Sequence, residues 1–275
     1  MKFVREVCVS GAVIDVALKY TQKQISVRAP KGKPTREAVL RNNDRIAEKR
    51  LRRVLNANFY PGDWHVTLTY ALVPSQEEAK RMLDNFLRRM KREFKKLGKE
   101  MRYVVVTEYE NHRIHHHIVM NFIDGEIIRK QWKEGRVRYT NLDESRNYAA
   151  LASYLIKETQ KTFRKSENMT KRRYRCSRNL VHPVVMTQPV KLSKVILEEP
   201  KPFKGYCIDE DSIRRFENPI THITHMEYMM VATDPVPRIS KWRKGTPVRR
   251  DETYQRAEEL KQMELADYES SGAMY

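Results

Sequence analysis

Two hydrophobic periods divide the middle of the chain into strands and helices. The stretch WHVTLTY (64–70) alternates apolar and polar side chains with period two, which predicts a half-buried strand. The stretch after it repeats apolar residues every three or four positions up to Leu97. Ser75 and Glu78 form a capping box at its start, and Gly98 ends it. The segment between them is therefore predicted to be an amphipathic helix.

The same patterns continue to Thr162 and indicate a fold class. RYVVVTEY (102–109) and RIHHHIVMNF (113–122) are predicted strands joined by a short polar turn. The end of a short helix and a strand are expected within 132–142, and SRNYAALASYLIKETQKT (145–162) is a predicted helix. The order of these elements predicts an α+β fold, with a ferredoxin-like or RRM-like antiparallel sheet and helices on one face.

The flanking segments are predicted to be N- and C-terminal extensions of this sheet. The first 30 residues alternate loosely and predict a β-hairpin that turns near Gly11, and a basic helix is expected at about 35–56. The C-terminal part mixes short strand signals with prolines and closes with a polar helix near 251–268. These patterns suggest three regions: an N-terminal hairpin and helix (1–58), a central domain (59–185) and a C-terminal accessory region (186–275).

Composition adds a partner to this picture. The chain has 54 Lys and Arg against 35 Asp and Glu, a formal charge of +19, and 40% of it is hydrophobic, as in a folded protein. Such a surplus implies a polyanion, with nucleic acid as the first candidate. A membrane is not expected, because no apolar run approaches the roughly 18 to 20 residues needed to span one. Three scattered cysteines and the absence of a signal-peptide core at the start predict a cytoplasmic protein.

Three consecutive histidines lie inside the predicted strand at 113–122. Because alternate residues of a strand share a face, His115 and His117 are expected on the face opposite His116. Two imidazoles and an oxygen from the neighbouring strand would suit a divalent ion. Glu108 is the preferred oxygen donor, since Glu110 lies closer to the turn. Plain polar surface is the other interpretation of such a pair, and no HExxH supports a zinc hydrolase.

The helix at 145–162 carries a polar stripe formed by Tyr154, Lys157 and Lys161 at positions i, i+3 and i+7. Such a stripe is often only the amphipathic boundary of a helix. Beside a metal site, however, it matches a known chemistry, in which a tyrosine hydroxyl attacks a phosphodiester and a lysine offsets the developing charge.

The sequence resembles the HUH endonucleases, in particular the single-tyrosine rolling-circle replication initiators (Rep) of bacterial phages, plasmids and integrative elements. Three motifs occur in the order of that family: HVTLTY, IHHHIVMN and YLIKE. The middle position of the histidine motif is usually apolar, and here it is His116. A pair that used His116 would have no histidine at i+2, so His115 and His117 are the better pair.

The resemblance implies a DNA endonuclease that nicks single-stranded DNA at a replication origin. Tyr154 would be the nucleophile with Lys157 beside it, and Glu108, His115 and His117 would hold Mg²⁺ or Mn²⁺. The enzyme would keep a 5′-phosphotyrosine link, leave a 3′-OH and later rejoin the strand. A host helicase and polymerase in the bacterial cytoplasm would be its further partners. The chain contains no GxxxxGK[ST] motif, which excludes a fused helicase of that type.

The basic region after Thr162 is the candidate for binding the DNA backbone, although a solvated loop is an equal interpretation. The predicted DNA-binding residues are Lys161, Arg172, Arg173, Tyr174, Arg175 and Arg178. Two alternative functions stay open. One is a non-catalytic nucleic-acid-binding module on the same sheet, which would carry stacking aromatics on its open face. The other is a transposase or relaxase of the same superfamily.

Overall fold

The computed structural model describes residues 2–21, 35–110, 113–163, 173–190, 199–217 and 224–233, all within one unit, Met1–Pro237. The strands are β1 (Lys2–Ser10), β2 (Val13–Thr21), β3 (Trp64–Thr69), β4 (Tyr103–Glu110), β5 (Arg113–Met120), β6 (Val137–Asn141), β7 (Arg175–Cys176), β8 (Met186–Val190), β9 (Tyr206–Glu217) and β10 (Thr224–Ala232). The helices are α1 (Arg36–Asn58), α2 (Gln76–Lys96), α3 (Gly125–Gln131) and α4 (Ala149–Phe163). The polar helix predicted near 251–268 lies outside the described residues.

The central sheet has the strand order β6-β3-β5-β4-β7, and every neighbouring pair in it is antiparallel. Along the chain, β3, α2, β4 and β5, α3, β6 are two strand–helix–strand units, and β5 lies between the parallel strands β3 and β4. This is the split arrangement of a ferredoxin-like sheet. The predicted α+β fold is therefore confirmed, and the ambiguous segment 132–142 contains the end of a connection and the edge strand β6.

One face of the central sheet is buried by α2 and α3. The Ser75–Glu78 capping box is formed, and Gly98, at φ +69°, follows the end of α2. Six apolar residues of α2 and the odd-phase residues of the strands build this core: Ala79, Leu83, Phe86, Leu87, Met90, Phe94, Val66, Leu68, Val105, Ile118 and Met120. The alternation of β3 thus faces the core as its sequence predicts.

The opposite face is covered in part by α1 and α4, a layer additional to the one predicted. Both helices carry an apolar stripe that must be buried, and the sheet offers Val104, Val106 and Val119 as its partners. The helix residues in this second core are Leu51, Val54 and Leu55 of α1, and Ala152, Leu155 and Ile156 of α4. A polar site on this face therefore lies beside a helix instead of on a bare sheet.

A second sheet, in the order β8-β1-β2-β10-β9, joins segments from both ends of the described chain. The predicted hairpin of β1 and β2 is confirmed, and it turns at Gly11, which has φ +58°. A Cβ at that position would collide with the backbone oxygen of Asn56 at the end of α1, so only glycine allows this close approach. The domain boundaries proposed at 58 and 185 stay a prediction.

The stripe of α1 that faces the second sheet is cationic. Arg52 and Arg53 both bind the carboxylate of Asp15 on β2, and Lys49 lies 3.3 Å from Glu227 on β10. The basic helix of the sequence analysis therefore uses part of its charge to attach α1 to this sheet.

Candidate active site

The three histidines of β5 divide between the two faces of the central sheet. His116 is fully buried on the α2 side, where its Nε2 lies 2.7 Å from the Tyr70 hydroxyl and its Nδ1 lies 2.9 Å from Thr107 Oγ1. Burial lowers the pKa of His116 to about 3, so its ring is neutral. Both of its ring nitrogens have protein partners, which makes His116 part of the core. His115 and His117 lie on the opposite face.

Glu108 stands between these two histidines. It is directly opposite His115 in the β4–β5 register. Its Oε2 lies 3.7 Å from Nδ1 of His115 and 3.8 Å from Nε2 of His117. These separations are too long for hydrogen bonds. The structure thus brings the three predicted ligands together on one face.

His117 is held from its other side by β3. Its Nδ1 lies 3.3 Å from both His65 Nε2 and Thr67 Oγ1, and the His65 and His117 rings stack with centroids 5.5 Å apart. The Nε2 of His117 is buried and has no hydrogen-bond partner among the described residues. Burial, followed by the nearby His65 and His115, lowers the pKa of His117 to about 4. Its ring is therefore neutral, with a nitrogen available towards Glu108.

His65 is the site residue that the sequence analysis did not select. Burial lowers the pKa of His65 as well, so a second neutral imidazole adjoins His117. The signal was present in the alternation of WHVTLTY, which puts His65 and Thr67 in phase. What the alternation could not give is the pairing of β3 with β5, which sets Thr67 opposite His117.

Tyr154 reaches this cluster from α4. Its ring centroid lies 5.4 Å from that of His117 and 6.4 Å from that of His65, in edge-on arrangements. The side chain is 42% exposed, while Ala152 and Leu155 on the other side of the helix are buried. Burial, then Glu158 and Glu108, raises the pKa of Tyr154, so the phenol is protonated at neutral pH. Lys157 is exposed one turn further along α4.

A divalent ion fits the donor types of this cluster. Metal–ligand bonds of about 2.1 Å allow two ligands of one ion to stand up to roughly 4.2 Å apart, and both separations from Glu108 are shorter than that. The unpartnered Nε2 of His117 is the further sign of a missing partner. Within the described ranges, however, no three His, Cys, Asp or Glu side chains are already arranged as a metal site. Small side-chain rotations and water ligands would be needed to complete one.

The predicted DNA-binding residues are spread over different parts of the fold. Arg173 makes a buried ion pair with Asp44 of α1, and Arg175 makes one with Asp84 of α2 at 2.7 Å, on the far face of the sheet. Tyr174 packs beside the second core. Arg178 is exposed beyond β7, near the start of β4 and so at the other end of that strand from Glu108.

Two of the predicted DNA-binding residues cannot be placed in this way. Arg172 lies outside the described residues, and so does the side chain of Lys161. The DNA-binding role of the whole set stays a prediction.

Fold and site together define an α+β domain whose ferredoxin-like sheet carries a histidine–carboxylate cluster facing one helix tyrosine. Residues 63–163, less than half of the chain, match the family model of the ORF2-type replication-associated proteins. This is a family of rolling-circle replication initiators, and the match supports a Rep-type protein with a role in DNA replication. The matched segment begins just before β3 and ends with α4, so it contains the whole candidate site.

The other comparisons add no relative. No curated protein and no solved structure gave a significant match. None of the helices in the described part of the chain is both long and apolar enough to cross a membrane.

Proposed function

We propose that this chain is a metal-dependent endonuclease that nicks single-stranded DNA at a replication origin and later rejoins it. Tyr154 is the nucleophile, and initiation of rolling-circle replication is the role. The observation that carries the proposal is the position of Tyr154, whose ring lies 5.4 Å from a buried histidine with an unpartnered nitrogen. A tyrosine with only a structural role would not need such a neighbour.

The reaction needs few groups. The phenolic oxygen of Tyr154 attacks the scissile phosphorus, the bond from phosphorus to the 3′ oxygen breaks, and that oxygen takes a proton to become a free 3′-OH. The 5′ phosphate stays on the tyrosine and conserves the bond energy. Attack by a 3′-OH on the phosphotyrosine reverses the step and rejoins the strand without a nucleotide cofactor.

Glu108, His115 and His117 would hold the ion, Mg²⁺ or Mn²⁺. When bound, it polarises the phosphate and offsets the charge of Glu108, one of the causes that raise the pKa of Tyr154. His65 and Thr67 orient the ring of His117 through its Nδ1, which leaves Nε2 for the ion. Lys157 adds a positive charge near the tyrosine.

The runner-up functions are favoured less by the geometry. A nucleic-acid-binding module would carry aromatic side chains for stacking at the centre of the open face. The side chains at the centre of this face are instead His65, Thr67, His115 and His117. A transposase or relaxase would use the same chemistry on a different DNA, so the test below would not separate it from a replication initiator.

The test is a search for the covalent intermediate. The full chain would be incubated with Mn²⁺ and labelled single-stranded oligonucleotides that tile its own replicon, then denatured to reveal protein–DNA adducts. We expect an adduct with the wild type, none with Tyr154→Phe, and none in excess EDTA. Tyr148→Phe is the matched control, because the Tyr148 hydroxyl is buried without a hydrogen-bond partner among the described residues. It should form the adduct normally.

Three results would overturn the proposal. They are an adduct that maps to Tyr148, an adduct that survives Tyr154→Phe, and full activity in EDTA.

A further inference from the structure

The face of the central sheet that carries His115 and His117 is covered on one side only. α4 packs on β4 and buries Val104 and Val106. By contrast, the β3 and β6 residues of the same face are partly or fully exposed. A bare half-face therefore adjoins the candidate active site.

Two arginines of this half-face lie on or beside the edge strand β6. Val137 and Tyr139 pack against the α2 core, so Arg138 and Thr140 lie on the other face. Arg138 is directly opposite Thr67, the residue whose hydroxyl is 3.3 Å from His117. The Thr69 backbone N–H donates to the Arg136 carbonyl at 3.0 Å, which extends the ladder and keeps Arg136 in phase with Arg138. We call Arg136, Arg138 and Thr140 the β6 strip.

The charge of the β6 strip is available to a ligand. All three side chains are exposed. Neither guanidinium has an ion pair or side-chain hydrogen bond with any described residue. Arg173 and Arg175 differ, since both already bind acidic side chains of the protein. Free guanidinium groups in fixed register are well suited to phosphate oxygens, which they bind through charge-assisted hydrogen bonds.

We propose that the β6 strip binds the backbone phosphates of the single-stranded DNA next to the scissile phosphate. The inference rests on the proposed function, which supplies the ligand class, and it adds the path of the strand. Strands in a sheet are about 4.8 Å apart, so β6 lies roughly 10 Å from β5 and its histidines. An extended DNA strand that runs from Tyr154 across β3 would meet Arg138 and Arg136 at the sheet edge.

Binding of labelled oligo(dT) to the full chain in EDTA tests the strip without any chemistry. Each phosphate contact with a single strand contributes about 0.7 to the slope of log affinity against log salt. Arg136→Gln/Arg138→Gln should therefore make the slope shallower by about 1.4, and weaken binding at low salt roughly tenfold. The matched control is Arg88→Gln/Arg92→Gln, which removes the same charge from exposed positions of α2 on the far side of the sheet. It should leave the slope unchanged.

Two more variants and one further assay make the result decisive. Arg136→Lys/Arg138→Lys should restore the slope, which a folding defect would not allow. An unchanged slope in the Gln pair, or an equal loss in the α2 control, would overturn the inference. The adduct assay separates the two proposals. A wild type that forms adducts while the Gln pair binds normally sinks only the strip. A wild type without adducts whose Gln pair still loses affinity sinks only the nuclease.

Discussion

A buried carboxylate on a strand occurs in each of the two sheets, and the two carboxylates are treated differently. Asp15 of the second sheet binds two guanidinium groups of α1, with Arg53 Nε at 3.0 Å. Glu108 of the central sheet faces two imidazoles at 3.7 and 3.8 Å. The first arrangement satisfies its charge at hydrogen-bond distance, and the second leaves a gap between its groups.

The cationic partners of the two sheets differ in the same way. Around the second sheet, Lys49, Arg52 and Arg53 of α1 are all engaged with strand carboxylates. On the open half of the central sheet, Arg136 and Arg138 are exposed. Charges that are paired inside a protein fix the position of its elements, whereas charges aligned without a partner are positioned for a ligand. The comparison assigns stability to one sheet and chemistry to the other.

The largest expected effect belongs to the second sheet. Asp15→Asn keeps the shape of the side chain but leaves Arg52 and Arg53, whose side chains are each 13% exposed, without their counter-charge. The free energy of unfolding should fall by about 3 to 5 kcal/mol, as measured by urea denaturation followed by circular dichroism. Adduct formation per folded molecule should persist. Loss of the adduct with stability intact would contradict the division between the sheets.

Glu6→Gln is the control for this prediction in the same hairpin. Its partner Lys19 lies 2.7 Å away, but both side chains are more than a quarter exposed. Such a pair contributes at most about 1 kcal/mol, so this variant should unfold nearly as the wild type does.

The next effect belongs to the central sheet. His117→Ala should lower single-turnover nicking roughly 10²- to 10³-fold, the range for removing one group that stabilises a transition state. Mn²⁺ binding should weaken in parallel. The free energy of unfolding should change by no more than about 1 kcal/mol, because the lost packing is offset by removal of a buried nitrogen without a partner. A strongly destabilised variant with normal nicking would reverse the assignment.

Much of this architecture could be predicted from local patterns. Period-two alternation separates His116 from His115 and His117, and the capping box with Gly98 bounds α2. These features depend on residues close together in the sequence, where periodicity determines which side chains share a face. The fold class follows from the order of such elements.

Features that depend on distant partners could not be predicted. Arg173 and Arg175 were selected for DNA by their charge, yet they bind acidic residues 129 and 91 positions away. His65 became a site residue only through the pairing of β3 with β5, which a single sequence does not specify. The second sheet is the extreme case, since its five strands come from both ends of the described chain.

A smaller effect distinguishes His116 from its neighbours. His116→Ala leaves a cavity and removes the partner of Thr107 and one partner of Tyr70, so stability should fall by about 2 to 3 kcal/mol. Nicking by the folded fraction should fall much less than in His117→Ala. Equal nicking defects in the two variants would show that the face assignment does not decide function.

The same variant has a signature in pH. The pKa of His116 is about 3 in the folded protein against 6.5 for an ordinary histidine, so its folded value is depressed. Its contribution to stability is therefore full above about pH 6.5 and is lost as the pH falls towards 3, because only the unfolded state takes up the proton. Between pH 7 and pH 5 the wild type should lose more stability than His116→Ala does. His65 and His117 titrate in both proteins and do not affect this difference.

The smallest effect tests how far the chemistry extends along α4. Lys157 is exposed one turn beyond Tyr154, so water screens its charge and the ion site carries most of the stabilisation. Lys157→Ala should slow single-turnover nicking about tenfold without abolishing the adduct. Lys157→Arg, which keeps the charge, should recover most of the rate. Equal losses in both variants would mean that the ammonium shape matters more than its charge. A complete loss in the Ala variant would move Lys157 from an accessory charge to a group that contacts the reacting phosphate.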